Sequence, residues 1–155
     1  MTIRTRSYSI FLYFRQELTI IINYARHKEK ILITEDEPGL LEMYKLYFEH
    51  ADYEVVDAAD GKIGVKFAKK ERPDLILLDI LMPQIDGWAM LKELKSDPAT
   101  KTIPVVIFSN LAQTEEIQRG LAMGADQYLV KSALTPKELL AKIQGLLDKP
   151  KAEEK

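Results

Sequence analysis

Leu75-Ile76-Leu77-Leu78 is apolar at all four positions, with Pro73 shortly before it and Asp79 directly after it. Alternate side chains of a strand point to opposite faces. A run with no alternation must be covered on both faces, as in the middle of a parallel sheet between helices. That requirement shapes the reading of the whole chain.

The neighbouring segments fit the same plan. Ile31 to Thr34 is a short apolar run ending in acids, and Tyr53 to Ala58 reads as a second strand. Ile103 to Phe108, entered through Pro104, reads as a fourth, and Asp126 to Val130 as a fifth. Between them lie helical spacings. Gly39 to His50 offers Leu40, Leu41, Tyr44 and Phe48 for one face, with Pro38 suited to the first turn. Asp60 to Glu71 offers Ile63, Phe67 and Ala68 as inward residues. Asp86 can cap a helix reaching about Ser96 and carrying Trp88, Leu91 and Leu94. Thr114 to Met123 is helical and ends near Gly124; Gly87 and Gly124 are read as turn and helix-end glycines. Thr135, Pro136 and Glu138 have the pattern of a capping box, opening a helix with Leu139, Leu140, Ile143, Leu146 and Leu147 on its core face. Alternation of this kind predicts an α/β fold with a doubly wound, five-stranded parallel sheet, (βα)5.

Composition narrows the function classes. The chain has 155 residues, 46% of them apolar, enough for one domain with a full core. The net charge of −2 gives no general attraction to nucleic acid. Residues 1–30 sum to +4, so the remainder carries −6. There is no cysteine, which excludes disulfides, thiolate catalysis and cysteine zinc sites, and fits a cytoplasmic location. His27 and His50 are too few for a histidine-rich metal site. The apolar run from Ile10 to Ile22 is interrupted by Arg15, Gln16 and Glu17, so no membrane span is expected. Arg4 and Arg6 precede that run without a small-residue cleavage site behind it, which argues against a signal peptide.

Residues 1–28 differ from the rest. Ile10, Phe14, Leu18, Ile21 and Ile22 can share a helical face, and Tyr8, Phe11, Tyr13, Phe14 and Tyr24 supply five aromatics. The segment reads as either an amphipathic helix or a loosely ordered extension from a start assigned too far upstream. Periodicity alone is a weak signal, and the second reading is preferred. The domain organisation is then an N-terminal extension over 1–28, one folded domain over 29–148 and a charged tail over 149–155.

In doubly wound sheets the site lies at the carboxyl ends of the strands. Here those ends carry Glu35-Asp36-Glu37, Asp79, Ser109-Asn110 and Lys131-Ser132. Several carboxylates in one cleft repel unless something offsets them. A hard divalent cation does so, and Mg2+ needs only one or two carboxylates beside waters and a phosphate oxygen. Asp79 can then act as a nucleophile toward phosphorus. Lys131 offers a point positive charge to a phosphoryl oxygen, and Ser109 a hydroxyl donor. Glu37 is read as a solvated first-turn acid.

These residues carry a family resemblance. Glu35-Asp36, the run Asp79-Ile-Leu-Met-Pro-Gln-Ile-Asp-Gly87, Ser109, Tyr128 and Lys131 resemble, in order and separation, the receiver domain of two-component response regulators, chemotaxis-regulator-like, over about residues 29–148. The resemblance implies a flavodoxin-like fold and a phospho-accepting switch rather than a turnover enzyme. It implies that Asp79 is phosphorylated, that Asp36 ligates Mg2+ directly and Glu35 through water, and that the Leu81 backbone carbonyl is a further ligand. Ser109 and Lys131 would bind phosphoryl oxygens, and Tyr128 would change rotamer as Ser109 moves. Partners implied are a histidine kinase or phosphotransfer protein, and a downstream protein contacted through about residues 113–147.

Two positions depart from the family. Ser132 follows Lys131 where proline with a cis bond is usual; a trans bond is the default for serine, leaving Lys131 to be aimed differently and the loop before Thr135 to rearrange. Asn110 replaces a small residue and narrows access. Leu81 and Leu111, each two residues beyond a site residue, offer no hydrogen bond to an attacking water, so slow self-dephosphorylation is expected. Eight residues beyond the last helix form no output module, so a stand-alone receiver signalling by protein contacts or as a homodimer is expected, without direct nucleic-acid binding. An aspartyl-phosphate phosphatase is disfavoured because Leu81 stands where its second acid would be. A flavin carrier is disfavoured because Glu35-Asp36-Glu37 would repel a phosphate. A degenerate, unphosphorylated receiver is disfavoured by the intact acids and lysine.

Overall fold

The computed structural model describes residues 28–82 and 86–148. The readings of the N-terminal extension and the charged tail lie almost wholly outside these residues. Five strands, β1 (Lys30–Thr34), β2 (Glu54–Ala58), β3 (Leu75–Leu78), β4 (Val105–Ser109) and β5 (Gln127–Val130), form one sheet in the order β2-β1-β3-β4-β5. Every pairing is parallel. Five helices intervene: α1 (Pro38–His50), α2 (Gly61–Glu71), α3 (Gly87–Ser96), α4 (Thr114–Ala122) and α5 (Pro136–Leu147).

The apolar β3 is the central strand, and its four residues are divided between two cores. Ile76 and Leu78 pack with Leu32, Val105 and Ile107 under α2 and α3. Leu75 and Leu77 pack with Ile31, Ile33, Val106, Phe108 and Leu129 under α1 and α5. Alternating side chains thus reach both layers from one run, which accounts for the missing polar alternation. No described helix is long and apolar enough to cross a membrane.

Local chemistry sets the helix starts. Asp60 accepts the Ile63 N–H at 2.8 Å, and Asp86 accepts that of Ala89 at 2.9 Å. Thr135 and Glu138 form the reciprocal capping box, with Pro136 in the first turn. Gly124 is left-handed at φ 99° just beyond α4, the position where a side chain would be strained.

Four local expectations are corrected. Ile63 is exposed rather than inward; α2 buries Gly61, Gly64, Val65 and Ala68. Two residues along a helix are about 200° apart, so with Val65 against the sheet Ile63 must face solvent. The fourth strand begins at Val105 because Ile103 donates its N–H to the Thr100 carbonyl in a turn, although its side chain is buried. Gly87 is the first residue of α3, not a turn residue. The fifth strand begins one residue late, since Asp126 is occupied in tying β4: its carboxylate accepts the Val105 N–H at 2.8 Å and its own N–H reaches the Val105 carbonyl.

Candidate functional site

The strand ends meet at one edge of the sheet. Glu35 and Asp36 follow β1, Asp79 follows β3, Ser109 closes β4 and Lys131 follows β5. β1 and β3 are neighbours, with Thr34 level with Leu78, so the acids after them emerge side by side. The Asp79 N–H donates to the Thr34 carbonyl at 3.1 Å and fixes that juxtaposition. Carboxylate oxygens of Glu35, Asp36 and Asp79 lie within 4.8 Å of one another.

Glu35 and Asp79 are 3% and 6% exposed, whereas Asp36 faces solvent. Lys131 reaches across from β5 and donates to both buried acids: to Asp79 Oδ2 at 2.8 Å and to Glu35 Oε2 in a short contact. The remaining oxygens are also engaged. Asp79 Oδ1 accepts the Leu81 N–H at 3.2 Å, and Glu35 Oε1 that of Glu37 at 3.2 Å. Burial pushes the Glu35 carboxyl above its usual range, against the opposing pull of Lys131. Burial alone would depress the Lys131 ammonium, but its bonds to Asp79 and Glu35 outweigh that and hold it above the ordinary lysine value. Three carboxylates facing one ammonium leave an excess of negative charge on hard oxygen donors. That donor set fits Mg2+.

Ser109 is fully buried. Its Oγ accepts the Leu111 N–H at 3.3 Å, and the Tyr128 hydroxyl donates to the Leu111 carbonyl at 2.8 Å. One loop residue therefore ties the end of β4 to the half-buried ring on β5, whose phenol burial pushes upward. Lys131 points into the cleft despite Ser132. Among the described residues there is no cis peptide bond, and Lys131–Ala133 form a 3-10 turn. Asn110 is exposed, as is Leu81, which lies at the mouth with 55% of its surface accessible.

Three residues named in the sequence reading were not given a role at the site. Gly87 packs so closely on the Asp79 loop that a Cβ would lie 2.3 Å from the Asp79 carbonyl oxygen. The Phe108 ring lies beneath Lys131 Nζ, 5.7 Å from its centroid, and Tyr44 meets that ring edge-on at 5.3 Å. Gly87 reads as a turn glycine closing the run from Asp79; its close approach to that loop is signalled only by a poor helix former directly after a cap residue. Phe108 and Tyr44 read as ordinary core.

Comparison with known proteins agrees with this geometry. The family described as the response regulator receiver domain matches residues 31–144. A probable transcriptional regulator, ycf27, of Porphyridium aerugineum is 35% identical over 120 residues, 77% of this chain and 48% of the relative. The DNA-binding dual master transcriptional regulator RpaA of Synechocystis is 36% identical over 118 residues, 76% of this chain and 48% of the relative. The chain thus spans about half the length of the curated relatives it matches. Among solved structures, the Vibrio cholerae chemotaxis protein CheY4 superposes with a TM-score of 0.72 at 31% identity, covering 77% of this chain and 98% of that one. A response regulator from Chloroflexus aurantiacus gives a TM-score of 0.73 at 31% identity, covering 79% of this chain and 100% of that one.

Proposed function

The chain belongs to the response regulator receiver family, and on that premise we propose that it is a phospho-accepting switch that takes a phosphoryl group on Asp79 with Mg2+ bound beside it. The observation that carries this reading is the convergence of Glu35, Asp36 and Asp79 on one cluster of oxygens, with Lys131 bonded to two of them.

Asp36 and Asp79, with the Leu81 carbonyl and Glu35 through water, would hold Mg2+, which when bound offsets the charge on the transferring phosphoryl group. A carboxylate oxygen of Asp79 attacks phosphorus as the bond to the leaving group breaks, and the leaving group departs with that electron pair. Lys131 already lies 2.8 Å from Asp79 Oδ2, so it can pass its charge to a phosphoryl oxygen with little movement. Ser109 would donate its hydroxyl to another. Drawing Ser109 toward Asp79 strains its bond from Leu111, and Leu111 is held by Tyr128, so the phosphoryl group biases both the loop and the ring.

The phosphoryl donor would be a histidine kinase or phosphotransfer protein. The response would be read by a protein partner on α4, β5 and α5, about residues 113–147, where Leu121 is an exposed apolar residue. A second copy of the chain is one such partner. Incubation with acetyl phosphate and Mg2+ should add one phosphoryl group by intact mass, lost on hydroxylamine treatment and absent from Asp79→Asn. A folded chain left unmodified by both acetyl phosphate and a phosphohistidine donor would rule the reading out.

A further inference from the structure

Lys131 carries the only ammonium bonded to the buried acids among the described residues, and its main chain lies just past the end of β5. It opens the 3-10 turn Lys131–Ala133, none of whose residues is buried as a whole. Its side chain, by contrast, is only 8% exposed. The aim of the ammonium within the cleft is then set by what the side chain touches. Asp79 and Glu35 engage the ammonium from one direction. Phe108 lies on another, with Nζ over the ring.

Phe108 is held more firmly than the lysine. It is 3% exposed, sits inside β4 level with Leu129 of β5, and belongs to the core under α1 and α5. The Tyr44 ring from α1 meets it at an interplanar angle of 77°, the edge-to-face arrangement that fixes a ring's plane. Because successive strand residues face opposite ways, Phe108 and its neighbour Ser109 serve opposite sides of the sheet edge. The ring's negative face attracts a cation, more so where water is excluded.

We propose that Phe108, braced by Tyr44, is a positioning residue: its ring face is the platform that aims the Lys131 ammonium at Asp79. The inference deepens the phospho-acceptor reading and rests on it for its kinetic consequence, but not for the placement of the lysine. A platform acting through its quadrupole must respond to ring electronics at constant shape. A filler of core volume must not.

The test uses the full chain with phenylalanine at 108 replaced by mono-, di- and trifluorophenylalanine, alongside Phe108→Leu. Two readouts are taken: the Lys131 ε-methylene resonance, assigned against Lys131→Arg, and the rate of modification by acetyl phosphate with Mg2+. In the parent protein the ε-methylene should lie upfield of the exposed lysines through the ring current, and Phe108→Leu should remove that shift. The modification rate should fall stepwise with fluorination, to roughly three- to ten-fold below the parent, the range a cation–ring attraction supplies. An ε-methylene at the ordinary lysine position in the folded parent would overturn the proposal, as would equal rates across the fluorinated series. If Phe108→Leu does not fold, the fluorinated chains, which keep the ring's shape, decide alone. Failure of the parent itself to be modified would strike the phospho-acceptor reading instead, leaving the resonance to judge the platform.

Discussion

Gly87 donates its N–H to the Ile80 carbonyl at 2.9 Å, so the first residue of α3 is bonded directly to the loop that carries Asp79. A Cβ there would lie 2.5 Å from Ile80 Cα as well as against the Asp79 carbonyl. These are backbone atoms and cannot swing aside. Gly87→Ala should therefore displace the loop and cost about 1–3 kcal/mol by overpacking. Urea unfolding checks the stability. Modification by acetyl phosphate checks the loop, and should slow even at temperatures where the variant is fully folded. Unchanged stability and rate would mean that the helix start yields freely.

Arg119 of α4 stacks over the Trp88 ring of α3 at 4.3 Å. α4 buries Gly120 and is otherwise half-buried or exposed, and this contact joins it to α3. A double-mutant cycle between Arg119→Ala and Trp88→Leu should give a coupling of about 0.5–1 kcal/mol, the value for a solvent-accessible cation–ring pair. Trp88 is the only tryptophan in the chain, so its emission reports this one ring's surroundings, the Arg119 contact among them. It should change with Arg119→Ala. It should also change on beryllofluoride addition if α4 moves during switching.

Much of this architecture is legible from patterning. The unbroken apolar run of β3, the acids after it and the Thr135–Glu138 capping box are local signals with a local cause, and each is found where expected. Ile63 was misplaced because helical spacing accepts several registers, and only the packing of Gly64 against Met90 and Thr34 selects one. The cluster of Glu35, Asp36 and Asp79 could be inferred because a parallel sheet brings alternate strand ends to one edge. Phe108 could not: an aromatic residue in a buried strand looks the same whether it fills space or supports a charge. Its relation to Lys131 depends on a side-chain path that no spacing encodes.

The capping box gives α5 a pH dependence of known sign. The Glu138 carboxyl accepts the Thr135 N–H at 2.8 Å, and that bond, followed by the Thr135 hydroxyl, holds it below its usual value of 4.5. A carboxylate depressed in the folded state adds stability above its unfolded pKa and loses it as pH falls through the folded one. The stability gap between the parent and Glu138→Gln should be widest near neutrality and close as the solution is acidified below about 4. Thr135→Ala should cost about 1 kcal/mol at neutral pH. A gap that widened on acidification would show the sign to be wrong.

Leu81 bears on how long the switch stays on. Its N–H holds Asp79 Oδ1, while its side chain stands exposed at the mouth of the cleft. Water that hydrolyses an aspartyl phosphate must approach phosphorus in line, past this side chain, and an isobutyl group cannot hydrogen-bond it into place. Leu81→Asn would offer an amide on the same branched four-atom side-chain frame without altering the backbone bond. One net hydrogen bond to the attacking water, about 1 kcal/mol, corresponds to roughly five-fold in rate. The aspartyl phosphate of Leu81→Asn should therefore decay about that much faster than the parent's, measured by following phosphoprotein after the donor is removed. Asp79→Asn serves as the unmodified control. Equal lifetimes would mean that access at this mouth is limited by something other than the character of residue 81, with exposed Asn110 the first side chain to substitute next.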